Sequence, residues 1–264
     1  MNNPLKKATR QHTKDHNSRL VLQTIYDSGQ ISRADLARLT HLTRTTISEV
    51  VSDLIEQGLV EEVGQGRSAV GRTPTLLSIV DDSRQIVAVS VSNAEIQGAI
   101  VNLRGVVRHR AKLPLSGQDG NGALVQLYSF LESLVNAARG PLLGIGISTP
   151  GLIDTASGVV RRAVNLGWQD LLLRNIVQSH YKLPIYVAND SHVVALAEYL
   201  FGQNQNTAHL VAIKVGQGIG AGIVLNGQLF AGDDYGAGEI GHVVVVEGGR
   251  LCKCGNYGCL AWHG

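Results

Sequence analysis

The sequence is poor in cysteine, in long apolar runs and in net charge, and each shortage excludes a class of protein. All three cysteines of the 264 residues fall within eight positions, too close together for a scaffold of disulfides. No run approaches the roughly 18 apolar residues of a membrane-spanning helix, and the first seventeen residues contain no apolar stretch typical of a signal peptide. The net charge of +2 argues against indiscriminate nucleic-acid binding. We therefore expect a soluble, cytoplasmic, globular protein.

The first quarter of the chain carries the excess of positive charge and three predicted short helices. Residues 1–75 hold ten Lys and Arg against eight Asp and Glu, while the remainder holds thirteen of each. Apolar residues recur at helical spacing between residues 17 and 62, most clearly after Thr43, which is a typical N-cap. Ser32 with Asp35 three residues later is typical of the start of the second helix. The short gap before Thr43 predicts a helix-turn-helix.

Two short apolar stretches at 59–63 and 75–79 flank the glycine-rich segment GQGRSAVGRTP, as in the wing of a winged helix. We therefore predict a winged helix-turn-helix DNA-binding domain over residues 1–80. A major groove admits the third helix, and the wing can reach the minor groove or the phosphates. The candidate DNA contacts are Arg33, Arg44, Thr45, Thr46, Ser48, Arg67 and Arg72. A helical protein-interaction module is the alternative, and it does not account for the arginine-bearing hairpin.

The remaining chain, residues 81–264, alternates between strand and helix patterns. The stretches QIVAVSV, IQGAIVNL and VVRHRAKL predict an antiparallel meander. Helices near 122–138, 169–181 and 191–201 then alternate with the strands LLGIGIS and IYVAN, which indicates an α/β layer structure.

The glycine-rich segment HLVAIKVGQGIGAGIVLNGQLF superficially matches a dinucleotide-binding fingerprint. That fingerprint opens a helix, whereas this segment continues as a strand with an Asn226-Gly227 turn, so we predict a hairpin. Its glycines serve either close approach of a phosphate or sugar to the backbone, or tight packing of the strands.

Four potential metal ligands follow the pattern H-x9-C-x-C-x4-C near the end of the chain. They are His242, Cys252, Cys254 and Cys259. Sulfur and imidazole ligands of this kind suit tetrahedral Zn²⁺, and because four protein ligands leave no open position, we predict a structural zinc. The alternative is three reduced, buried thiols beside a core histidine.

A further set of polar residues fits a sugar, whose vicinal hydroxyls bind carboxylates and amides. The set is Asn165, Asn189, Asp190, Glu239 and His242. Asp190 is placed at the carboxyl end of a predicted strand, where α/β sheets bind ligands. Its alternative role is that of a helix N-cap.

These segments together resemble the ROK family of repressors and sugar kinases, and specifically its winged-helix transcriptional regulators, the type that includes N-acetylglucosamine, glucose and xylose repressors. The matching segments, in the family's order, are ISTPGLID, NLGW, VANDSHVVALAEYLFG, VGQGIGAGIVLNGQLF and GEIGHVVVVEGGRLCKCGNYGCL. The resemblance implies an actin-like ATPase (sugar-kinase) fold after the winged helix, with sugar held between two lobes by the five polar residues. In family kinases the residue matching Asp190 is the general base on the sugar hydroxyl.

Two departures from the family pattern matter for activity. The D-x-G-G-T phosphate motif of the kinases reads Ser90, Ser92, Asn93 and Ala94 at its four defining positions, so we expect no phosphoryl transfer and no enzyme. After Leu260 the chain ends within four residues, and Ala261 stands where the family has a sugar-contacting glutamate. The resemblance therefore implies an incomplete second lobe in an apparently truncated chain, with consequences for sugar affinity and folding.

The resulting expectation is a sugar-responsive DNA-binding regulator, a repressor, whose kinase-like domain binds a sugar without phosphorylating it. Its expected partners are operator DNA, a small sugar effector and a second copy of the chain in a homodimer or higher homo-oligomer, because a palindromic operator needs two recognition helices. The alternatives are a sugar kinase with an appended DNA-binding domain and a DNA-binding remnant that no sugar releases.

Overall fold

The structure, a computed structural model, describes residues 10–65, 73–115, 120–203, 207–216 and 218–262. The chain divides into two compact units, residues 1–84 and 85–264. Within the described ranges every helix is too short or too polar to cross a membrane.

The first unit contains three helices and a small antiparallel sheet. Its elements are α1 (Arg10–Ser28), β1 (Ile31–Ser32), α2 (Arg33–Thr40), α3 (Arg44–Glu56), β2 (Val60–Gln65) and β3 (Thr75–Ile79). The strands lie in the order β1-β3-β2, so β2 and β3 form the hairpin of a winged helix. The apolar stripe of α3 is buried as its spacing predicts, and Leu36 and Leu77 complete the core beneath it. The predicted winged helix-turn-helix fold is confirmed.

Side-chain caps fix the helix starts at the predicted positions. The Ser32 hydroxyl accepts from the backbone N–H of Asp35 at 3.2 Å, and the Thr43 hydroxyl accepts from that of Thr46 at 3.2 Å. Each bond satisfies one of the four N–H groups that a helix leaves unpaired at its start. The first helix starts at Arg10, earlier than the predicted range, and a 2.7 Å bond from Gln11 to Asp15 supports this polar first turn.

The second unit has a central five-stranded sheet flanked by two smaller sheets. Its first part contains β4 (Gln85–Val91), β5 (Glu95–Asn102), β6 (Val107–Pro114), α4 (Gly120–Ala137), β7 (Leu142–Thr149), β8 (Leu152–Asp154) and β9 (Val159–Ala163). Its second part contains β10 (Trp168–Leu171), α5 (Leu173–His180), β11 (Ile185–Asn189), α6 (Asp190–Phe201), β12 (Leu210–Val215), β13 (Ile219–Leu225) and β14 (Gln228–Phe230). The central sheet runs β11-β7-β4-β5-β6, with β7 parallel to both β4 and β11.

The core of this unit lies between the central sheet and helices α4 and α5. Helix α4 contacts β5 so closely that a Cβ on Gly98 would come within 2.5 Å of Leu134 and 2.6 Å of Phe130. Parallel pairing of β4, β7 and β11 brings the carboxyl ends of β7 and β11 to the same edge of the sheet. Ligands of α/β proteins bind at such an edge.

The predicted helix over 169–181 is wrong at its start. Residues 168–171 form the strand β10, which pairs with β9, and α5 begins only at Leu173. The Trp168 indole N–H donates to the Gly120 carbonyl at 2.7 Å, and Asp170 has a left-handed φ of 46° that a helix interior does not allow. Cross-strand pairing therefore outweighs the local helical pattern at these positions.

The glycine-rich segment is a hairpin, as predicted. Strands β12 and β13 pair antiparallel from Leu210 with Val224 to Val215 with Ile219, and among the described residues a strand, not a helix, follows the glycines. The next turn, between β13 and β14, has positive φ at Asn226 (50°) and Gly227 (76°), which is the geometry of a two-residue type I′ turn.

Candidate functional site

A cavity of about 460 Å³ lies in the second unit at the carboxyl ends of β7 and β11. Its walls include the β12–β13 hairpin and the start of α6. All five residues predicted to bind sugar line it: Asn165, Asn189, Asp190, Glu239 and His242. The structure thus gathers residues that are up to 77 positions apart in the sequence into one pocket.

The N-cap of α6 is Asn189, so the N-cap alternative for Asp190 is wrong. The Asn189 side-chain oxygen accepts from the N–H groups of Ser191 at 2.8 Å and His192 at 3.1 Å. Its amide nitrogen donates to the Gly151 carbonyl at 2.8 Å, which ties the helix start to the loop after β7. Asn189 is buried and keeps one amide N–H beyond these bonds, whereas Asp190 is the first helical residue and lines the cavity.

Asp190 is paired with a lysine that the sequence analysis missed. One Asp190 oxygen, Oδ1, accepts from the Ser191 N–H at 2.8 Å, and the other, Oδ2, forms an ion pair with the Lys214 ammonium of β12. Lys214 also lines the cavity. Its position in the apolar strand pattern VAIKV was the available signal, because a lone charge in such a strand calls for a partner.

Glu239 and His242 approach the cavity on a single turn of 3-10 helix, residues 240–242. The preceding loop is held by the buried His192 ring, which bonds to the Ala237 carbonyl at 3.0 Å. Burial raises the pKa of the Glu239 carboxyl, and the Asp190 carboxylate adds to the rise. Glu239 Oε2 lies 3.8 Å from His242 Nε2, so the carboxylate and the imidazole face each other.

The four predicted metal ligands form a compact cluster beside the cavity. Their ligand atoms all lie within 4.8 Å of one another. Cys252 Sγ is 3.6 Å from His242 Nδ1, and Cys254 Sγ is 3.7 Å from Cys259 Sγ. Bonds of about 2.3 Å in a tetrahedron separate neighbouring ligands by about 3.8 Å, so the cluster has the size of a tetrahedral Zn²⁺ site.

The imidazole of His242 also has surroundings that suit a metal ligand. Its Nδ1 faces the thiols while its Nε2 faces Glu239, and a carboxylate on the far nitrogen is the usual partner of a ligating histidine. Burial raises the pKa of the Cys252 thiol, but hydrogen bonds from Cys254, His242 and Cys259 outweigh burial and lower it to about 6. Burial, with the neighbouring sulfurs, raises the pKa of Cys259 to about 12.

Two glycines of the hairpin have the packing role that the sequence left open. A Cβ on Gly222 would lie 2.3 Å from the Ser191 carbonyl oxygen, and one on Gly220 would lie 2.4 Å from the Ser191 hydroxyl. These two glycines allow β13 to pack directly on α6. Gly216 and Gly218 have no atom within 4 Å of such a Cβ, and Gly218 lines the cavity.

The turn that replaces the kinase phosphate motif is closed by its own serine. The Ser92 hydroxyl donates to the Glu95 carbonyl at 2.8 Å and accepts from the Glu95 N–H at 3.1 Å. Ser92 and Asn93 line the cavity, and neither brings the negative charge that would hold a phosphate-bound metal ion.

The candidate DNA-contact residues of the first unit differ in how exposed their side chains are and in whether they already have partners. Arg44, Thr45 and Ser48 are exposed on the face of α3 opposite its apolar stripe. The half-buried Thr46 lies with its hydroxyl 2.9 Å from that of Thr43, within the cap. Arg33 forms a 2.8 Å ion pair with Glu62 of β2. The remaining two, Arg67 and Arg72, lie outside the described residues.

Curated relatives match nearly the whole of this chain. A xylose repressor of Caldicellulosiruptor bescii is 38% identical over 252 residues, which is 94% of this chain and 63% of the relative. The transcriptional dual regulator NagC of Escherichia coli is 32% identical over 253 residues, 94% of this chain and 62% of the relative. The chain thus spans a little under two thirds of the length of these proteins.

Solved structures match nearly the whole chain or its second unit. A ROK family transcriptional regulator, a homologue of the E. coli MLC protein, superposes with a TM-score of 0.78 at 31% identity, covering 95% of this chain and 64% of that one. A ROK family glucokinase from Streptomyces griseus, in complex with glucose and AMPPNP, gives a TM-score of 0.62 at 27% identity over 67% of this chain and 56% of that one. The fold is therefore a winged helix followed by the actin-like sugar-kinase fold.

Family models assign both parts of the chain. The MarR family model, of the winged-helix type, matches residues 17–68, and the ROK family model matches residues 86–262. The ROK match contains the cavity residues, the β12–β13 hairpin and most of the length of the chain. The chain therefore belongs to the ROK family.

Proposed function

We propose that this chain is a sugar-responsive, DNA-binding transcriptional repressor whose kinase-like unit binds a sugar and does not phosphorylate it. The observation that carries the proposal is one cavity in which Asn165, Asn189, Asp190, Glu239 and His242 meet, in a chain that also carries a winged helix. Two carboxylates and two amides suit the vicinal hydroxyls of a sugar. The names of the xylose repressor and NagC relatives agree with this reading.

In this proposal the two parts of the chain divide the work. Residues 1–80 bind operator DNA and residues 81–264 bind the effector. A sugar changes DNA affinity only if it binds the DNA-competent and DNA-incompetent states with different affinities. Two copies of α3 are needed to read a palindromic operator, so we also propose that the chain acts as a homodimer.

Loss of phosphoryl transfer follows from the turn at Ser92 and Asn93. Phosphoryl transfer needs a metal ion and backbone donors at the transferred phosphate. The positions that supply the carboxylate and the two glycines in family kinases carry Ser90, Ser92 and Asn93 here. A sugar kinase with an added DNA-binding unit is the competing function. ATP-dependent phosphorylation of D-xylose, D-glucose or N-acetyl-D-glucosamine that Asp190→Asn abolishes would establish it.

A structural zinc is the cofactor of this proposal. His242 and the three cysteines would hold it, and the ion would supply rigidity to the turn that carries Glu239. No catalytic chemistry is assigned to the metal, because four protein ligands fill its coordination shell.

The proposed function is tested by gel shift at fixed salt, with the chain and the DNA upstream of its own gene. D-Xylose, D-glucose, N-acetyl-D-glucosamine and their phosphate esters are added in turn. Release of the DNA by one sugar is the expected result. Binding that no sugar alters would instead indicate a regulator that lacks this switch, and an absence of binding would contradict the DNA-binding assignment.

The same assay tests the recognition helix through Arg44. We expect Arg44→Ala to weaken specific binding by about 1 to 3 kcal/mol with little effect on unrelated DNA, because its exposed guanidinium lies on the outer face of α3. Arg110→Ala, an exposed arginine on β6 of the other unit, is the matched control and should bind like the wild type. Equal loss on all sequences would make Arg44 a phosphate contact.

A further inference from the structure

The ion pair between Lys214 and Asp190 is the feature of the cavity that the proposed function leaves unexplained. The Asp190 side chain is 16% exposed and the Lys214 side chain 41% exposed, and both line the cavity. Both side chains therefore lie on the wall of the cavity, and their free donors and acceptors can form hydrogen bonds with a bound molecule.

The strand pattern directs Lys214 to this place. Along β12 the side chains of Val211, Ile213 and Val215 are exposed on one face, and Lys214 lies on the other, toward α6. Its cross-strand partner is Gly220, which has no side chain to compete for the space. The start of α6 brings Asp190 to the same point. The register of β12 with β13 and the alternation of side chains along β12 thus direct Lys214 toward the cavity.

Both members of the pair retain hydrogen-bonding capacity. A carboxylate has about four acceptor sites and an ammonium has three donors. Asp190 Oδ1 accepts from the N–H and the hydroxyl of Ser191, and Oδ2 accepts from Lys214, which leaves an acceptor site on Oδ2. Lys214 uses one N–H on Asp190. The pair can therefore accept one hydrogen bond and donate another, side by side, without breaking.

An adjacent acceptor and donor match two neighbouring sugar oxygens. The first hydroxyl donates to the carboxylate while the oxygen of the second accepts from the ammonium. The two cavity carboxylates supply acceptors, and Lys214 adds a charged donor directly at one of them. Hydrogen bonds to charged groups are about twice as strong as neutral ones.

We propose that Lys214 is a sugar-binding residue that acts jointly with Asp190 to read two neighbouring hydroxyls. This inference rests on the proposed function and adds to it a donor residue and a hydroxyl pattern. The expected ligand is a sugar with a vicinal diol free at this position, so removal of either hydroxyl should weaken binding.

The test is calorimetric titration of the full chain with D-xylose, D-glucose and N-acetyl-D-glucosamine, then with monodeoxy analogues of the tightest binder. We expect Lys214→Met to weaken that sugar about 10- to 100-fold, the range for one hydrogen bond to a charged group. The analogue that lacks the hydroxyl contacted by Lys214 should bind the variant and the wild type almost equally, because it cannot form that hydrogen bond with either protein. Lys112→Met, an exposed lysine on β6, is the matched control and should bind like the wild type.

A second variant is needed in case Lys214→Met does not fold, since that substitution leaves Asp190 without its ion-pair partner. Lys214→Gln keeps a donor of similar length without the charge, so it should retain the discrimination against that deoxy analogue while binding more weakly. If folded Lys214→Met binds the parent sugar and every analogue with wild-type affinity, or if folded Lys214→Gln loses no affinity for the parent sugar, Lys214 does not contact the sugar, and the proposed function stands without it. If the wild type binds none of the three sugars, the proposed function fails and this inference fails with it.

Discussion

At the scale of the residue, Asp154 shows how a single buried carboxylate contributes stability. Hydrogen bonds from the side chain and backbone N–H of Ser157 contribute most, and Tyr235 and Arg161 add to them, lowering the pKa of Asp154 from 3.8 to about 2. Asp154 lies at the end of β8 and is almost fully buried. Tyr235 belongs to the loop that leads to Glu239, so this carboxylate also anchors one wall of the cavity.

The pH dependence follows from the direction of this shift. A pKa that is lower in the folded state gives stability that is complete above pH 4 and lost as the pH falls toward 2. Asp154→Asn should therefore reduce the free energy of unfolding at pH 7 by about 2 kcal/mol and have little effect near pH 2. Urea unfolding at both pH values measures this difference.

Asp170→Asn is the matched control for that experiment. Asp170 is the other carboxylate on Arg161, at 3.5 Å, but its side chain is 64% exposed. Its φ of 46° is one that asparagine adopts readily. We expect no change at either pH. An equal loss in both variants would show that Arg161, and not the buried site of Asp154, provides the stability.

At the scale of the element, the packing of α6 on β13 decides where the cavity residues lie. Gly222 permits the contact, since a Cβ there would be 2.3 Å from the Ser191 carbonyl oxygen and 2.4 Å from the Ala195 Cβ. Both atoms belong to the rigid first turns of the helix that carries Asp190. The helix would have to move to make room, and Asp190 would move with it.

Gly222→Ala is therefore predicted to destabilise the second unit by about 1 to 3 kcal/mol and to weaken sugar binding. Gly216→Ala, in the same hairpin but with no atom within 4 Å of its added Cβ, should leave both properties unchanged. Thermal unfolding and calorimetric sugar titration measure the two effects. A stable Gly222→Ala variant with wild-type affinity would mean that α6 adjusts without moving Asp190.

At the scale of the whole molecule, metal binding by the four predicted ligands is expected to stabilise the second unit and not the first. The four ligands lie in residues 85–264, and none lies in residues 1–84. Cys254→Ser should abolish zinc binding and lower the unfolding temperature of the second unit, because ligation stabilises only the folded arrangement. Hydrogen exchange of residues 10–65 should not change. Elemental analysis measures the zinc.

Lys253→Ala provides the control for this prediction. Lys253 is an exposed neighbour in the same turn and is not a ligand. It should retain one zinc per chain and the wild-type unfolding temperature. A wild-type protein purified without chelators and free of zinc would contradict the metal assignment, and equal destabilisation by Cys254→Ser in the presence and absence of zinc would assign the cluster a packing role.

The sequence by itself determined the features that depend on local spacing. Caps at Ser32 and Thr43, the Asn226-Gly227 turn and the grouping of the three cysteines follow from residues a few positions apart, because turn and helix geometry bring such neighbours together. The set of cavity residues was predicted from their polar chemistry, and the family resemblance agreed with it, because these residues lie too far apart in the chain for spacing to join them.

Only the tertiary structure decided the contacts between elements. The ion pair of Asp190 with Lys214 depends on the register of β12 with β13 and on the packing of α6 against these strands. The two residues are 24 positions apart, and no local sequence pattern encodes either feature. The same holds for Gln169 and Leu171, where pairing with β9 replaced the first turn of a predicted helix by a strand. Contacts between elements depend on the packing of the whole core, so they are determined only when all the elements have assembled.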